Sequence, residues 1–412
     1  MTGMTVQDGA KTIYLDHNAT TPLLPDIREA MLPWLGERFG NPSSGHGFGA
    51  EAKRAVERAR EQVAELLGAS PDEIVFTGSG TEANNLALRG LAEGRSERGG
   101  RIILSALEHP SVAACGAWLV QRGPLVGKPA IPAVCSGGQM CLVLQGVWEL
   151  IVLPVDGDGR VAPAALRAAL DRKAFVLSVM HAQNEVGTIE PVRELADVAH
   201  EKGLLVHTDA AQSVGKIPTR VGDLGVDLLT VAGHKLYAPQ GVGALYVRRG
   251  VELAPVLVGA GHERGLRPGT ENVAGLVGLG TACDVARRTM VDEGTRQRLL
   301  RDLLFDLLRE GVPGIRRNGH PTERLPNTLN VSFPGVRGTC VLAGAPEVAA
   351  TTGSACHEGD ESPSAVLAAM GVPAEVALGA VRLSLGRGTT EADVERAAEA
   401  LIRSWRVARE GA

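Results

Sequence analysis

Two short stretches decide the fold class: Val206-His207-Thr208-Asp209-Ala210-Ala211-Gln212 and, about twenty residues later, Ala232-Gly233-His234-Lys235. The first places Asp209 at the carboxyl end of a predicted parallel strand, where open α/β sheets bind ligands. The second places Lys235 in a glycine-flanked loop after another apolar run, as a candidate Schiff-base former. Taken singly, a strand-end aspartate more often caps a helix or forms an ion pair, and a lone lysine is more often solvated.

Short apolar runs alternate with helical periodicity over most of the first 275 residues around these stretches. The predicted strands cover 74–76, 101–104, 149–155, 175–180, 204–208, 228–231 and 243–247. Helices are predicted over 51–67, from about 82, and from 110 through 121. This alternation indicates βαβ units and a mainly parallel sheet. A long helix over 275–310, a strand over 328–333 and a helix from about 391 indicate a second, smaller α+β domain.

Composition excludes several functional classes. The 412 residues carry a net charge of -5 with a pI near 6.1, which argues against a general electrostatic grip on nucleic acid or on acidic membranes. Aromatic residues make up only 3% of the chain, whereas 52 of the 412 residues are glycine. This composition favours an α/β protein with many tight turns over a protein that stacks nucleic-acid bases on aromatic side chains. Six cysteines do not make a disulfide scaffold in a chain of this length.

Targeting signals are not expected. The first twelve residues lack a basic stretch followed by an apolar core, so we predict no signal peptide. The longest apolar stretch, residues 131–154, is interrupted by Gln139, Gln145 and Glu149, so we predict no membrane span. The expected location is the cytoplasm.

Residues 123–146 do not fit the alternation. This segment is rich in glycine and proline and has no clear period, and loops of such length are uncommon in compact domains. Cys135 and Cys141 lie six positions apart without a nearby His/Cys pair, which is a weak zinc signal. We therefore predict an irregular surface insertion, and no metal site anywhere in the chain.

A third stretch, residues 78–82, follows a predicted strand and opens a helix. Backbone N–H groups at Gly80 and the hydroxyl of Thr81 suit a phosphate group, although such a stretch alone is more often an ordinary capped turn. A phosphate cradle, Lys235 and Asp209 together suggest pyridoxal 5′-phosphate, which needs a lysine, an acid beside its ring nitrogen and an anion site.

With these residues in place, the sequence resembles the cysteine desulfurases, class V members of the fold-type-I pyridoxal-phosphate enzymes, and the related selenocysteine lyases. The matching stretches run in family order: 14–21, 40–44, 76–85, 108–112, 183–187, 207–212, 233–235, 267–272, 353–356 and 382–387. The insertion at 123–146 is the main break in this order.

The resemblance implies a fold and a domain division. The fold is that of a fold-type-I transferase, with a mainly parallel seven-stranded sheet in a large cofactor-binding domain at residues 17–275. Residues 1–16 and 276–412 would form a smaller α+β domain that carries the loop of a catalytic cysteine.

The resemblance also assigns cofactor contacts. Lys235 would hold the cofactor covalently and later move a proton, and Asp209 would pair with the ring nitrogen. Gln212 would donate to the phenolic oxygen, while His109 would stack on the ring and act as a general acid or base. The phosphate would be held by Gly80, Thr81 and His234, and by Thr270 of a neighbouring subunit. The last contact implies a homodimer.

On the substrate side, the resemblance assigns Asn184 and Arg382 to the substrate carboxylate, for which a planar guanidinium is suited. Cys356, in a small polar loop, would take the substrate sulfur as a persulfide. His357 favours and the acidic residues at 358, 360 and 361 oppose ionisation of that thiol, and the sequence leaves the balance open. The remaining cysteines are interpreted as structural or incidental: Cys115, Cys135, Cys141, Cys283 and Cys340.

These assignments predict an L-cysteine desulfurase that forms L-alanine and passes sulfur to an acceptor, such as an iron–sulfur scaffold or a tRNA-thiolation protein. Ala232 stands where many desulfurases have a phosphate-binding serine, and Pro268 replaces a small hydroxyl residue. Selenocysteine lyases share both features in kind, so turnover of L-selenocysteine is the main alternative. A non-catalytic cofactor-binding scaffold is a further alternative, and Cys356 disfavours an aminotransferase. Direct nucleic-acid or membrane partners are not expected.

Lysine is scarce, with only seven among the 42 basic residues and none after Lys235. We predict that the other six occupy ordinary solvated positions. Lys235 differs because a Schiff base needs a primary amine that can lose its proton, and arginine cannot supply one.

Overall fold

A computed structural model describes residues 12–94, 99–121, 148–171, 173–353 and 362–411, and the backbone of 131–134 and 140–143. Its strands are β1 Ile13–Tyr14, β2 Ile74–Thr77, β3 Gly100–Ser105, β4 Ile131–Val134, β5 Met140–Val143, β6 Trp148–Leu153, β7 Ala174–Ser178, β8 Leu205–Asp209, β9 Leu228–Ala232, β10 Gly243–Val247, β11 Arg316–Asn318, β12 Thr328–Ser332, β13 Val348–Ala349 and β14 Ala380–Ser384.

The helices are α1 Pro25–Met31, α2 Gly47–Leu67, α3 Gly80–Glu93, α4 Pro110–Gln121, α5 Pro163–Ala169, α6 Val192–His200, α7 Val221–Leu224, α8 Val273–Gly311, α9 Gly338–Ala343, α10 Ala365–Ala369, α11 Ala374–Ala377 and α12 Glu391–Glu410. Among the described helices, none is long and apolar enough to cross a membrane.

The central sheet has nine strands in the order β2-β10-β9-β8-β7-β3-β6-β5-β4. Neighbouring strands from β9 to β6 are parallel, and β10 is antiparallel to both of its neighbours. The sequence predicted seven strands, which are those from β2 to β6 in this order. The two additional strands come from the segment predicted to be irregular: β4 and β5 form a hairpin, and β5 pairs antiparallel with β6. Adding them leaves the mainly parallel centre unchanged.

The central strands are apolar because helices cover both faces of the sheet. All five residues of β9 are buried. One apolar cluster joins the sheet to α2, α6 and the first half of α8, and a second joins it to α3 and α4 on the other face. The carboxyl ends of the parallel strands β7, β8 and β9 therefore open at one edge between these layers, where a ligand site is expected.

A separate apolar cluster lies beyond the central sheet. The antiparallel strands β11, β12 and β14 pack with α12 and the last turns of α8, and β1 joins them through a parallel pairing with β13. Helix α8 contributes Leu279 to the first cluster and Leu304 to this one. The division at residue 275 would fall inside this helix, and the domain boundaries stay a prediction.

Candidate active site

Lys235 is held at the end of β9 by a single 3₁₀ turn, Gly233–Lys235. A side chain at Gly233 would meet the carbonyl oxygen of Val242 at 2.9 Å, so glycine lets the turn pack against β10. The backbone of His234 accepts hydrogen bonds from the backbone N–H of Thr21 at 3.0 Å and from its hydroxyl at 2.8 Å. The chain is therefore fixed at the residue before the lysine.

Burial lowers the pKa of Lys235, and the positive charge of Arg382 lowers it further, while Asp209 and Asp16 act in the opposite direction. A lowered pKa makes the neutral amine more accessible near neutral pH. Since only the neutral amine attacks a carbonyl carbon, this environment prepares Lys235 for covalent attachment of an aldehyde.

Asp209 ends β8 with its carboxylate buried at 6% exposure. One carboxylate oxygen accepts from Asn84 Nδ2 at 2.7 Å, and the other accepts from the backbone N–H of Ala211 at 2.9 Å. Asn84, on α3, also donates to Ser111 Oγ at 2.8 Å. Asn84 thus links Asp209 to the start of α4, a role that the sequence analysis did not assign to it.

His109 precedes α4, and its Nδ1 lies 2.7 Å from Ser111 Oγ and accepts the Ser111 backbone N–H at 3.1 Å. We therefore assign the proton of the neutral ring to Nε2. Burial lowers the pKa of His109, with Lys235 adding to the shift and Asp209 opposing it. The ring is mostly neutral at pH 7 and is able to accept a proton.

The proposed phosphate residues lie at the start of α3 and beside Lys235. Ser79 caps α3 by accepting the backbone N–H of Glu82 at 3.1 Å. Thr81, in the first turn of this helix, is exposed. A Cβ at Gly80 would lie 3.0 Å from that of Ala232, so the helix start lies directly against the end of β9. His234 Nδ1 lies 3.1 Å from Thr20 Oγ1.

Thr270 lies in a different environment from the other proposed phosphate residues. It is exposed and lines a surface cavity of about 990 Å³ together with Asn41, Ser43 and Glu271. Its predicted role belongs to a neighbouring subunit, so it stays a prediction.

Arg382, on β14, is almost fully buried and already paired. Its Nη2 donates to Asp16 Oδ1 at 2.6 Å, and its Nη1 donates to the backbone oxygen of Asn184 at 3.2 Å. Its Nε is buried and has no hydrogen-bond partner among the described residues. The structure thus brings the two predicted substrate residues together, and it adds Asp16 as a carboxylate that occupies the guanidinium.

Gln212 lies in a polar network that the sequence analysis missed. Its Nε2 donates to the Asn18 backbone oxygen at 3.0 Å, and its Oε1 accepts from Lys216 Nζ at 3.0 Å. Lys216 also donates to Asn18 Oδ1 at 3.0 Å. The prediction that Lys216 is solvated is wrong: its amine donates to Gln212, four positions back, and to Asn18, 198 positions away in sequence.

Glu108, next to His109, received no role from the sequence. Its Oε1 accepts the Ser105 hydroxyl at 2.5 Å and the Met180 backbone N–H at 2.8 Å, and its buried Oε2 meets no partner in the described parts of the chain. Burial raises the pKa of Glu108 to about 8. At neutral pH this carboxyl group is mostly uncharged and ties β3 to the end of β7.

Cys356 lies outside the described residues, but residues on either side of its loop are described. The backbone N–H of Arg382 donates to Thr351 at 2.7 Å, and Ser364 Oγ donates to Glu185 Oε2 at 2.6 Å. Among the other cysteines, the side chains of Cys135 and Cys141 are not described. Burial raises the pKa of the Cys115 thiol to about 11 and that of Cys283 further, while Cys340 is exposed.

A family model and several curated enzymes match most of the length of the chain. The family model described as aminotransferase class-V matches residues 13–126 and 142–397, and the gap falls within the inserted segment. A cysteine desulfurase of Gluconacetobacter diazotrophicus is 46% identical over 391 residues, covering 93% of this chain and 91% of its own. The cysteine desulfurase IscS of Dictyoglomus turgidum is 42% identical over 395 residues, covering 95% and 94%.

Solved structures agree with these relatives. A NifS-like protein superimposes with a TM-score of 0.84 at 35% identity, covering 95% of this chain and 98% of its own. A structure described as SspA in complex with cysteine has a TM-score of 0.76 at 33% identity, covering 91% and 99%. The predicted fold class is therefore confirmed.

Proposed function

Because this chain belongs to the class-V aminotransferase family, and within it to the cysteine desulfurases, we propose that it removes sulfur from L-cysteine with pyridoxal 5′-phosphate as cofactor. The products are L-alanine and a persulfide on Cys356, from which sulfur passes to an acceptor. The observation that carries the proposal is the placement of Lys235: it ends the turn that follows β9, near the buried carboxylate that ends β8, Asp209, whose charge opposes the lowering of the Lys235 pKa by burial.

The residues present fit this cofactor. Lys235 supplies the amine, Asp209 a carboxylate for the ring nitrogen, and the capped start of α3 an anion site. The buried Oδ1 of Asn84 has no partner among the residues that the structure describes, as expected at the wall of a polar site. When bound, the cofactor supplies an electron sink for the carbon atoms of the substrate. Ala232 brings no hydroxyl, so phosphate binding depends on the neighbouring donors.

Each protein group then has a chemical task. Lys235 would take the proton from the substrate α-carbon, and His109, neutral at pH 7, would accept a proton from the substrate or return one to it. Arg382 binds the substrate carboxylate and exchanges its contact with Asp16 for the new anion. The guanidinium is already ordered by Asn184, which reduces the entropic cost of this exchange.

Sulfur transfer is assigned to Cys356. Its thiolate attacks the substrate sulfur, a sulfur–sulfur bond forms, and the carbon–sulfur bond breaks. The electron pair of the broken bond passes to the β-carbon of the substrate, and this carbon is protonated as L-alanine forms. The described contacts at Thr351 and Ser364 support this role because they tie positions near both ends of the segment to Arg382 and Glu185. The acceptor is proposed to be a protein, such as an iron–sulfur scaffold or a tRNA-thiolation protein.

A homodimer completes the proposal. Leu35, Phe39 and Phe48 are each more than half exposed, and the two phenylalanine rings stack on each other at 5.2 Å. Val258 is 96% exposed. Apolar side chains in such number suit a surface covered by a second copy, and this arrangement would offer Thr270 to the neighbouring site. The cytoplasmic location stays a prediction.

The experiment is turnover by the purified protein loaded with pyridoxal phosphate. We expect L-alanine and sulfide from L-cysteine in the presence of a thiol reductant, and no turnover by Lys235→Ala. Lys202→Ala, at an exposed lysine, is the control and should keep full activity. Turnover of L-selenocysteine alone would replace the proposal with the lyase, and cofactor binding without turnover of either substrate would indicate the scaffold.

A further inference from the structure

Lys216 is a second amine at the active site with no assigned task. Within the part of the chain that the structure describes, its Nζ donates to Gln212 Oε1 and to Asn18 Oδ1, both at 3.0 Å. Neither oxygen carries a charge. Burial lowers the pKa of Lys216, and the cations Lys235 and Arg382 lower it further. An amine placed beside two cations costs stability.

The contacts of Lys216 determine the orientation of the Gln212 side chain. An ammonium or amine N–H can only be met by the amide oxygen, so Lys216 requires Oε1 of Gln212 to face it. The amide nitrogen then faces the Asn18 backbone oxygen at 3.0 Å, and its second hydrogen is available for another acceptor. Without Lys216, one of the two contacts that define this orientation is lost.

The same amine acts on Asn18. The Asn18 Oδ1 also accepts from Asn327 at 3.0 Å, and its Nδ2 donates to the backbone oxygen of Asn184 at 3.1 Å and to Thr328 Oγ1 at 2.8 Å. The Asn184 oxygen is the one that also accepts from Arg382. Lys216 is therefore joined by hydrogen bonds both to the proposed cofactor side and to the proposed substrate side of the site.

We propose that Lys216 is a positioning residue that fixes the Gln212 amide with its nitrogen toward the cofactor, and that this orientation lowers the proton affinity of the nitrogen that joins Lys235 to the cofactor. The proposal rests on the proposed function for the presence of pyridoxal phosphate. When the Gln212 amide N–H donates to the phenolic oxygen of the cofactor, that oxygen becomes a weaker acceptor for the proton on the nitrogen that joins Lys235 to the cofactor. The pKa of that nitrogen is therefore lower.

The charged groups around Lys216 act in a consistent direction. Lys235 and Arg382 are the cations that face it, and His17 has its pKa lowered to about 4 by burial and by Lys216. Asp16 and Asp209 act on Lys235 with the opposite sign and remain in place when Lys216 is replaced. Removing Lys216 thus raises the proton affinity at Lys235 through the loss of the Gln212 orientation.

The test is a pH titration of the visible absorbance of the protein loaded with pyridoxal phosphate. Lys216→Met keeps the aliphatic stem and should move the titration midpoint upward by about half to one pH unit. Lys202→Met, at an exposed lysine, should leave the midpoint unchanged. Lys216→Gln, a neutral variant that keeps polar atoms, serves if the methionine variant does not fold, and it should move the midpoint in the same direction.

A double-variant cycle separates positioning from direct charge. In a Gln212→Met background, Lys216→Met should move the midpoint by less than half of its effect in the wild-type background. An equal shift in both backgrounds would overturn the proposal, and so would an unchanged midpoint in a variant with a lowered melting temperature. The readout is the spectrum, so a wild-type protein that binds cofactor without releasing sulfide would count against the proposed function alone.

Discussion

At the scale of single residues, the site combines cationic and anionic side chains whose charges largely offset each other. Burial also favours the neutral form of its titratable groups. Lys235 and Arg382 are cations that repel each other, and Asp209 and Asp16 offset them. His109 is kept mostly neutral by burial. Because each shift depends on a neighbouring group, the chemistry depends on the set of residues more than on any one of them.

Glu108 gives a prediction for pH dependence. Its folded-state pKa is raised to about 8 by burial, from an ordinary value of 4.5. The unfolded carboxyl therefore ionises first as pH rises, the unfolded state binds fewer protons, and the folded state loses stability between about pH 4.5 and 8. Glu108→Gln cannot ionise, so relative to wild type it should gain on the order of 1 kcal/mol per pH unit between pH 6 and 7.5.

Urea denaturation of the two loaded proteins across this range measures the difference. The glutamine oxygen can still accept from Ser105 and Met180, so the fold should be kept. A stability difference that stays constant from pH 6 to 8 would contradict the assignment of a neutral carboxyl group.

The residue scale also shows what sequence could and could not provide. Asp209 and Lys235 were predicted because each stands in a short local pattern, at a strand end or in a glycine turn, whereas the role of His109 was predicted from the family resemblance. Lys216 was predicted wrongly because its partner Asn18 lies 198 positions away, and no local pattern marks it. Asp16 was missed as the partner of Arg382 for the same reason, at a separation of 366 positions.

At the scale of elements, the seven strands of the central sheet from β2 to β6 were predicted well because buried strands of a parallel sheet read as short apolar runs. Four strands outside this sheet were not predicted: β1, β11, β13 and β14. The run at 243–247 coincides with β10, and the others differ from the observed strands by one or two residues at most ends. The two-stranded addition β4 and β5 was not predicted, because each strand has only four residues and the surrounding segment is rich in glycine and proline. Pro132 lies in β4, the edge strand of the sheet, where proline is tolerated better than in a central strand.

A buried ion pair between Arg60 and Glu263 stabilises the loop that precedes Thr270. Glu263 and Arg264 have left-handed backbone angles, φ +47° and +57°, a conformation that costs energy for residues other than glycine. The Glu263 carboxylate is held by both terminal nitrogens of Arg60, at 2.7 and 2.8 Å, and by the backbone N–H of Phe76 at 2.8 Å. This buried pair joins α2 and β2 to the loop and offsets the strain.

Glu263→Ala should therefore lower the free energy of unfolding by about 3–5 kcal/mol, because Arg60 is left buried without its main partner. Glu57 offers a matched control, since it pairs with the same arginine at 3.3 Å but is half exposed. Glu57→Ala should cost less than about 1 kcal/mol. Equal losses in the two variants, measured by chemical denaturation, would show that burial does not decide the contribution of the pair.

At the scale of the whole molecule, the proposed homodimer makes a prediction about surface residues. Phe48 is 57% exposed and belongs to the stacked aromatic pair, while Val407 on α12 is 66% exposed. Phe48→Glu should weaken self-association at least tenfold, about 1.4 kcal/mol, and Val407→Glu should not. Light scattering across a dilution series measures the mass, and a wild-type protein with the mass of a single chain at every concentration would contradict the dimer.

The central claim is that Cys356 takes sulfur, and only sulfur, from L-cysteine. The direct measurement uses L-cysteine labelled on both sulfur and carbon, incubated with the loaded protein without reductant, followed by counting of both labels on the polypeptide. Wild type and Cys340→Ser, a control at an exposed cysteine, should retain about one labelled sulfur per chain without labelled carbon. Cys356→Ser should retain none. Equal retention of sulfur without carbon in Cys356→Ser would contradict the account.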